Sequence, residues 1–149
     1  MRGLRLTTLL AVLIASVVTF AAPARTLAAD PCKHPTVTVK PGRTTIRGTA
    51  RNDVIQGTKA AEYIYGGGGD DIICGGGGND SLHGEDGNDR LYGQSGSDHL
   101  FGGLGDDQLF GGSGGYDSLI GEEGFDTCDG GTGAPDGVGD TCETKTGAP

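Results

Sequence analysis

Aspartate recurs at Asp71, Asp80, Asp89, Asp98 and Asp107, nine residues apart each time, and continues at Asp117 and Asp126. Five residues before each of the first five stands a glycine (Gly66, Gly75, Gly84, Gly93, Gly102), and two residues after each an aliphatic side chain (Ile73, Leu82, Leu91, Leu100, Leu109). Carboxylates at a fixed interval, beside glycine carbonyls that no side chain covers, make an all-oxygen donor set of the kind that hard divalent cations take. Other chemistries find no footing. His34, His83 and His99 show no zinc-ligand spacing, and neither an H-E-x-x-H pair nor an EF-hand loop is present. Gly111, Ser113 and Gly115 fit G-x-S-x-G, but that elbow needs a strand-to-helix turn and a later histidine, and all three histidines precede it. Asn79-Asp80-Ser81 is a formal glycosylation sequon inside the repeat. An enzyme is therefore not the expected class.

What must position these aspartates is a repeat. From Gly66 the chain reads GGGGDDIIC, GGGGNDSLH, GEDGNDRLY, GQSGSDHLF and GGLGDDQLF. Two degenerate units precede it, GTARNDVIQ from Gly48, which keeps Asp53, and GTKAAEYIY from Gly57, with Glu62 at the acidic place. GGSGGYDSLI from Gly111 carries one extra residue, GEEGFDTCD from Gly121 is regular, and GGTGAPDGVGDTCE reads as a unit with five additional residues, in which Asp140-Thr141-Cys142-Glu143 echoes Asp126-Thr127-Cys128-Asp129. A nine-residue period of single aliphatics (Ile55, Ile64, Ile73, Leu82, Leu91, Leu100, Leu109, Leu119) is neither helical nor simply alternating. A solenoid satisfies it: six residues of turn and three of strand per unit, two units per 18-residue coil, aliphatics stacked inward. The stripe begins earlier, at Val37 and Ile46, as a cap should, and Val37 and Val39 suggest one short strand there. The glycines let each tight turn visit positive φ. Turns on one edge of adjacent coils then lie about 4.8 Å apart, so one cation fits between them.

Charge and composition narrow the classes further. Residues 1–29 read as an export leader: Arg2 and Arg5, an apolar run from Leu6 to Phe20, then small residues to Ala29, with cleavage after Ala24, Ala28 or Ala29 and Ala29 favoured. An uncleaved anchor is the alternative; Pro23 and Arg25 shorten the run for a span. Removing the leader with its three arginines takes the net charge from −9 to −12, because all 20 acids lie from Asp30 onward. That density of carboxylate opposes compaction without counter-ions and excludes nucleic acid as a partner. Glycine, with 31 residues, would mean a linker if aperiodic and collagen at a period of three; at nine it means neither. One aliphatic side chain per nine residues is a thin core for so flexible a backbone, so folding needs cohesion and positive charge from outside the chain.

The units carry a resemblance. GGxGxDx-aliphatic-x, from Gly48 to Asp129, is similar to the repeat of the repeats-in-toxin (RTX, haemolysin-type) calcium-binding proteins. The resemblance implies an all-β fold, a parallel β-roll of about four or five coils with a short N-terminal cap, and calcium (Ca2+) held between stacked turns. It implies ligands from the second- and fourth-place carbonyls and sixth-place Asp of one turn, with the first- and third-place carbonyls and Asp of the turn a coil later. On this chain the first ion falls to Gly67, Gly69 and Asp71 with Gly84, Asp86 and Asp89, and the second to Gly76, Gly78 and Asp80 with Gly93, Ser95 and Asp98. A third takes Glu85, Gly87 and Asp89 with Gly102, Leu104 and Asp107. A fourth takes Gln94, Gly96 and Asp98 with Gly111, Ser113 and Asp117, where the inserted residue falls. A fifth takes Gly103, Gly105 and Asp107 with Gly121, Glu123 and Asp126. Asp53 with Asp71 makes a weaker site and Glu62 with Asp80 a poor one, giving about five good sites. The large toxins and proteases of the family carry an effector or catalytic domain; the expectation here is a small stand-alone secreted member, with a leader at 1–29, a cap at 30–47, a roll at 48–143 and a disordered tail at 144–149.

Four cysteines in an exported chain allow three disulfide pairings. Cys128 and Cys142 fall at equivalent places in the last two units, which favours Cys128–Cys142, leaving Cys32–Cys74 to pin the cap on the first good coil. Tyr65, Tyr92, Phe101 and Phe110 sit at the ninth place, beside the core stripe. Two functions follow as expectations: a secreted protein whose folding is coupled to extracellular calcium, or a calcium-rigidified structural or adhesive module that binds a surface or glycan. Protein and glycan partners are left open, and no membrane span is expected in the mature chain.

Overall fold

The computed structural model describes residues 30–37, 39–40, 42–139 and 142–146; the expected leader at 1–29 and the last residues of the expected tail lie outside these. Twelve strands follow one another: β1 (Thr45–Arg47), β2 (Val54–Gln56), β3 (Tyr63–Gly68), β4 (Ile72–Gly77), β5 (Ser81–Asp86), β6 (Arg90–Gly96), β7 (His99–Leu104), β8 (Gln108–Gly114), β9 (Ser118–Glu123), β10 (Asp126–Gly133), β11 (Gly137–Val138) and β12 (Cys142–Thr146). Odd strands form one six-stranded sheet in the order β1-β3-β5-β7-β9-β11, and even strands the other, β2-β4-β6-β8-β10-β12. Every pairing is parallel. The chain is a parallel β-roll in which each nine-residue unit crosses to the opposite sheet.

Register follows the aliphatic stripe. Ile46, Ile64, Leu82, Leu100, Leu119 and Val138 stack in one sheet, and Ile55, Ile73, Leu91, Leu109 and Cys128 in the other. The side chains from Ile55 to Leu119 on this stripe are fully buried, a single layer between the sheets. Parallel strands a coil apart place identical units side by side, so one inward aliphatic per unit suffices to build a continuous core. The cap differs from expectation in detail: instead of a strand, Val37 makes one isolated parallel bridge to Ile55.

Four local differences follow from the pairing. Regular strands are six residues or longer, not three, because the glycines of the turn also pair across coils, as Gly67 does with Glu85 and Gly68 with Asp86. The unit from Gly130 has one inserted residue, not five: Gly137 and Val138 pair with Ser118 and Leu119. Cys128 and Cys142 do not occupy equivalent places, since Cys128 pairs with Lys145 and Cys142 lies opposite Asp126 across a register shift. Both cysteines are nevertheless buried and joined, with Cα atoms 5.9 Å apart, and Cys32–Cys74 is the second disulfide, at 6.3 Å. Because β12 runs to Thr146, the ladder extends past the boundary expected at 143.

The ninth-place side chains stack on one another. Tyr65, His83 and Phe101 lie 4.8 and 4.7 Å apart with near-parallel rings, Arg47 sits 4.3 Å over Tyr65, and Tyr92 and Phe110 are 4.9 Å apart on the other sheet. Within each stack the ring faces meet each other.

The second place of the regular turn has positive φ, filled by Gly67, Gly76, Gly103 and Gly112 but also by Glu85 (φ 76°), Gln94 (φ 75°) and Glu122 (φ 77°). A Cβ is disfavoured there by roughly 1–2 kcal/mol. Gln94→Gly is expected to stabilise the roll by about 1 kcal/mol after the larger chain entropy of glycine is set against the relief. A lowered urea midpoint would refute this.

Candidate metal centre

The sixth-place acids are not on the surface. Asp71, Asp80, Asp89, Asp98, Asp107, Asp117 and Asp126 are each at most 1% exposed. They turn inward where the turn passes into the strand, and their Oδ1 atoms close a ladder of their own. The amide of each sixth-place residue donates to Oδ1 of the acid one coil later: Asp71 to Asp89 (2.7 Å), Asp80 to Asp98 (2.8 Å), Asp89 to Asp107 (2.8 Å), Asp98 to Asp117 (2.9 Å) and Asp107 to Asp126 (2.9 Å). The inserted residue before Asp117 leaves this intact, because it is absorbed at Gly115 and Tyr116, after Gly114 has paired with Gly96. Two rows of aspartates therefore run the length of the roll, one on each edge.

The other oxygen of each carboxylate has no such partner. Oδ2 of Asp71, Asp80, Asp89, Asp98 and Asp107 is buried and receives no hydrogen bond. An unsatisfied buried carboxylate oxygen is unfavourable by several kcal/mol unless the group is protonated or a cation meets it. Burial, with neighbouring acids adding, pushes Asp71, Asp80, Asp89 and Asp98 up to about 6 and Asp107 to about 7, and raises Asp117 as well.

Around each orphaned oxygen lies a cradle. A Cβ on Gly84 would collide with Asp89 Oδ2 and with the carbonyl of Gly102; Gly66, Gly75, Gly93 and Gly102 show the same pairing of their own unit's Oδ2 with the carbonyl of the first-place residue one coil on. The first-place glycine is therefore needed for space, so that a carboxylate and a carbonyl from successive turns can converge. The fourth place has positive φ at Gly69, Gly78, Gly87, Gly96 and Gly105, which shapes the same turn. Third-place carbonyls of Asp86, Leu104 and Glu123 accept the amides of Gly69, Gly87 and Gly105 at 2.8–2.9 Å, and each keeps a second lone pair. Along one edge an open groove of about 360 Å3, lined by Asp70, Asp71, Asn88, Asp89 and Asp106 among others, gives water and ions a path to these turns.

The turns that carry the five expected ligand sets are stacked a coil apart and joined through their aspartates. Among the described residues no three His, Cys, Asp or Glu side chains converge, so any ion here depends on main-chain oxygen with one aspartate from each turn. That donor set suits a hard cation of flexible coordination, calcium above magnesium, and offers nothing to zinc. Asp53 and Glu62 differ from the rest. Asp53 Oδ2 accepts the amide and hydroxyl of Thr49 at 2.7 and 2.8 Å and its Oδ1 the hydroxyl of Thr36 at 3.0 Å; burial would raise its pKa, but these bonds, with Arg51 nearby, hold it below the ordinary value.

Two features escaped the sequence reading. Asp136 takes the sixth place of the Gly130 unit, accepting the amide of Asp117 at 3.0 Å, and a Cβ on Gly111 would lie 2.6 Å from Gly130 O and 2.7 Å from Asp117 Oδ2. Its signal was present: Gly-Gly-x-Gly followed by an acid, with Ala134-Pro135 making the same one-residue insertion as Gly115-Tyr116. The fifth place forms an outer ladder, with Asn52 Oδ1, Asp70 Oδ1, Asn88 Oδ1 and Asp106 Oδ1 accepting the amides of Asp70, Asn88, Asp106 and Phe125 at 2.9–3.1 Å.

Comparison with known proteins bears on this geometry. The family model for the RTX calcium-binding nonapeptide repeat (4 copies) matches residues 47–82, 83–115 and 112–135. No curated protein and no solved structure matches the chain.

Proposed function

The chain belongs to the RTX calcium-binding nonapeptide-repeat family, and from that premise we propose that it is an exported protein whose roll is completed by several calcium ions and folds only where calcium is plentiful. The observation that carries the reading is the row of buried Oδ2 atoms without a partner at Asp71, Asp80, Asp89, Asp98 and Asp107. Bound calcium would supply positive charge between successive turns and tie them together. This chain's own residues do the rest. Each aspartate is held by its Oδ1 bond so that Oδ2 faces the gap, the first-place glycine keeps the gap open, and the positive-φ turns aim their carbonyls. The ligands proposed are the five sets set out above, with Gly112, Gly114 and Asp117 facing Gly130, Thr132 and Asp136 as a sixth.

Calcium that binds only the folded roll stabilises it by mass action. At low cytosolic calcium the carboxylates repel and the roll stays open; outside the cell, at millimolar calcium, it closes. The export leader read at 1–29 fits this order of events, and among the described residues no helix is long and apolar enough to cross a membrane. The test is a calcium titration of the chelated full chain, followed by calorimetry and circular dichroism. A cooperative rise in β signal with a matching heat of binding is expected. No heat and an unchanged spectrum would refute the proposal.

A further inference from the structure

The first two turns of the roll are built unlike the others. At the second place, where the regular units have a positive-φ residue, they carry Thr49 and Thr58, and at the fourth place Arg51 and Ala60, none of which has positive φ. Thr49 gives both its amide and its hydroxyl to Asp53 Oδ2. Thr58 serves both oxygens of Glu62, its amide reaching Oε2 at 3.1 Å and its hydroxyl meeting Oε1. The carboxylates are drawn away from the first-place glycine as a result. A Cβ on Gly48 would stand 3.1 Å from Asp53 Oδ2, and one on Gly57 3.1 Å from Glu62 Oε2, whereas the Cβ on Gly66 or Gly84 would collide with the aspartate of its own unit. The N-terminal segment finishes the arrangement. Residue 35, one coil before Asp53, is proline and has no amide to give, and the hydroxyl of Thr36 takes its place at 3.0 Å from Asp53 Oδ1.

Resting on the calcium reading above, we propose that Thr49 and Thr58 close the gaps Asp53–Asp71 and Glu62–Asp80 to calcium, so that the first coil is held by protein donors and loading starts at the next. The chemistry is a substitution of one kind of positive partner for another. A carboxylate oxygen that already accepts an N–H and an O–H has its lone pairs directed at those donors, and a β-branched residue without positive φ does not aim its carbonyl into the gap as glycine does. Calcium would have to break two hydrogen bonds and turn the backbone to enter. In the later gaps it meets an oxygen with no competing donor. The first coil is thus a cap specified side chain by side chain.

The experiment counts ions on the full chain at saturating calcium by calorimetry, checked by native mass spectrometry. The parent chain should bind no more than the six ions allowed by the gaps Asp71–Asp89, Asp89–Asp107, Asp107–Asp126, Asp80–Asp98, Asp98–Asp117 and Asp117–Asp136. The double variant Thr49→Gly/Arg51→Gly should bind one ion more than the parent. A parent count of seven or eight, or an unchanged count in a folded double variant, overturns the proposal while leaving the calcium reading standing. A parent count of zero overturns the calcium reading itself. Should the double variant fail to fold, amide shifts on exchanging calcium for strontium in the saturated, folded parent decide: Thr49 and Thr58 should move little while Gly67, Gly69, Gly76 and Gly78 move strongly, and equal movement of all six overturns the proposal.

Discussion

Asp89→Asn is expected to stabilise the metal-free chain and to destabilise the calcium-loaded one. Asparagine keeps the Oδ1 acceptor that Asp89 offers to the amide of Asp71 at 2.7 Å, and its own amide still reaches Asp107 at 2.8 Å. What changes is the orphaned Oδ2, replaced by an NH2 group that lies against the same Gly84 backbone as the Gly102 carbonyl. Without metal, removing an unsatisfied buried carboxylate oxygen should raise stability by about 1–3 kcal/mol. With calcium the sign reverses, and twice over, because Asp89 faces one coil through Asp71 and the next through Asp107. At tenfold excess over Kd each lost ion forfeits about 1.4 kcal/mol. Two together lower the melting midpoint by on the order of 10 °C. Asp70→Asn is the control: Asp70 is exposed, its Oδ1 serves only the amide of Asn88, and asparagine preserves that bond. It should leave the β signal in chelator unchanged and move the calcium-loaded midpoint by no more than about 0.5 kcal/mol equivalent. A weaker β signal in chelator together with a lower midpoint in calcium would show that the aspartate is structural alone.

Acid is expected to tighten the metal-free roll and loosen the loaded one. In the metal-free fold, burial lifts Asp71, Asp80, Asp89 and Asp98 from 3.8 to about 6 and Asp107 to about 7, and Asp117 rises with them. Between pH 7 and 4 the folded chain therefore binds more protons than the unfolded one, so its stability climbs as pH falls through this window and levels off near the ordinary carboxylate value. His83 opposes the trend, since burial between Tyr65 and Phe101 holds its pKa down and acid favours the unfolded chain there. One imidazole stands against six carboxyls. Asp53, whose pKa is lowered, gives up its contribution only at still lower pH. In the loaded chain the same protons compete with calcium for the same oxygens, and stability falls over the same window. From pH 7.5 to 6 to 5 the β signal by circular dichroism should rise in chelator, while the urea midpoint in millimolar calcium should fall, two slopes of opposite sign. Parallel slopes would show that the buried aspartates are not where the ion binds.

Legibility varied with how strictly the repeat was kept. The stack from Ile55 to Leu119 and the aspartates from Asp71 to Asp126 were readable because a fixed period of single aliphatics admits one stacking register, and each unit confirms its neighbour. Asp136 was lost because Ala134-Pro135 breaks the count and the later Cys142 offers a competing echo; only pairing with Ser118 and Leu119 decides between them. Thr49 went unremarked for a different reason. A threonine in a glycine's place looks like decay, and whether its hydroxyl turns to the carboxylate or to water depends on the turn it stands in.

By itself, then, the sequence determined the roll, its coil length, the inward aliphatics and the oxygen chemistry of the turns, since these follow from periodicity and residue type. Tertiary structure decided which oxygens are left wanting. Asp53 and Asp89 carry the same side chain at the same place of the same unit, yet one is closed by Thr49 and Thr36 and the other has a bare oxygen facing the next turn. A carboxylate's need for a cation is set by the donors around it in space, and for Asp53 one of those donors, Thr36, stands 17 residues away along the chain.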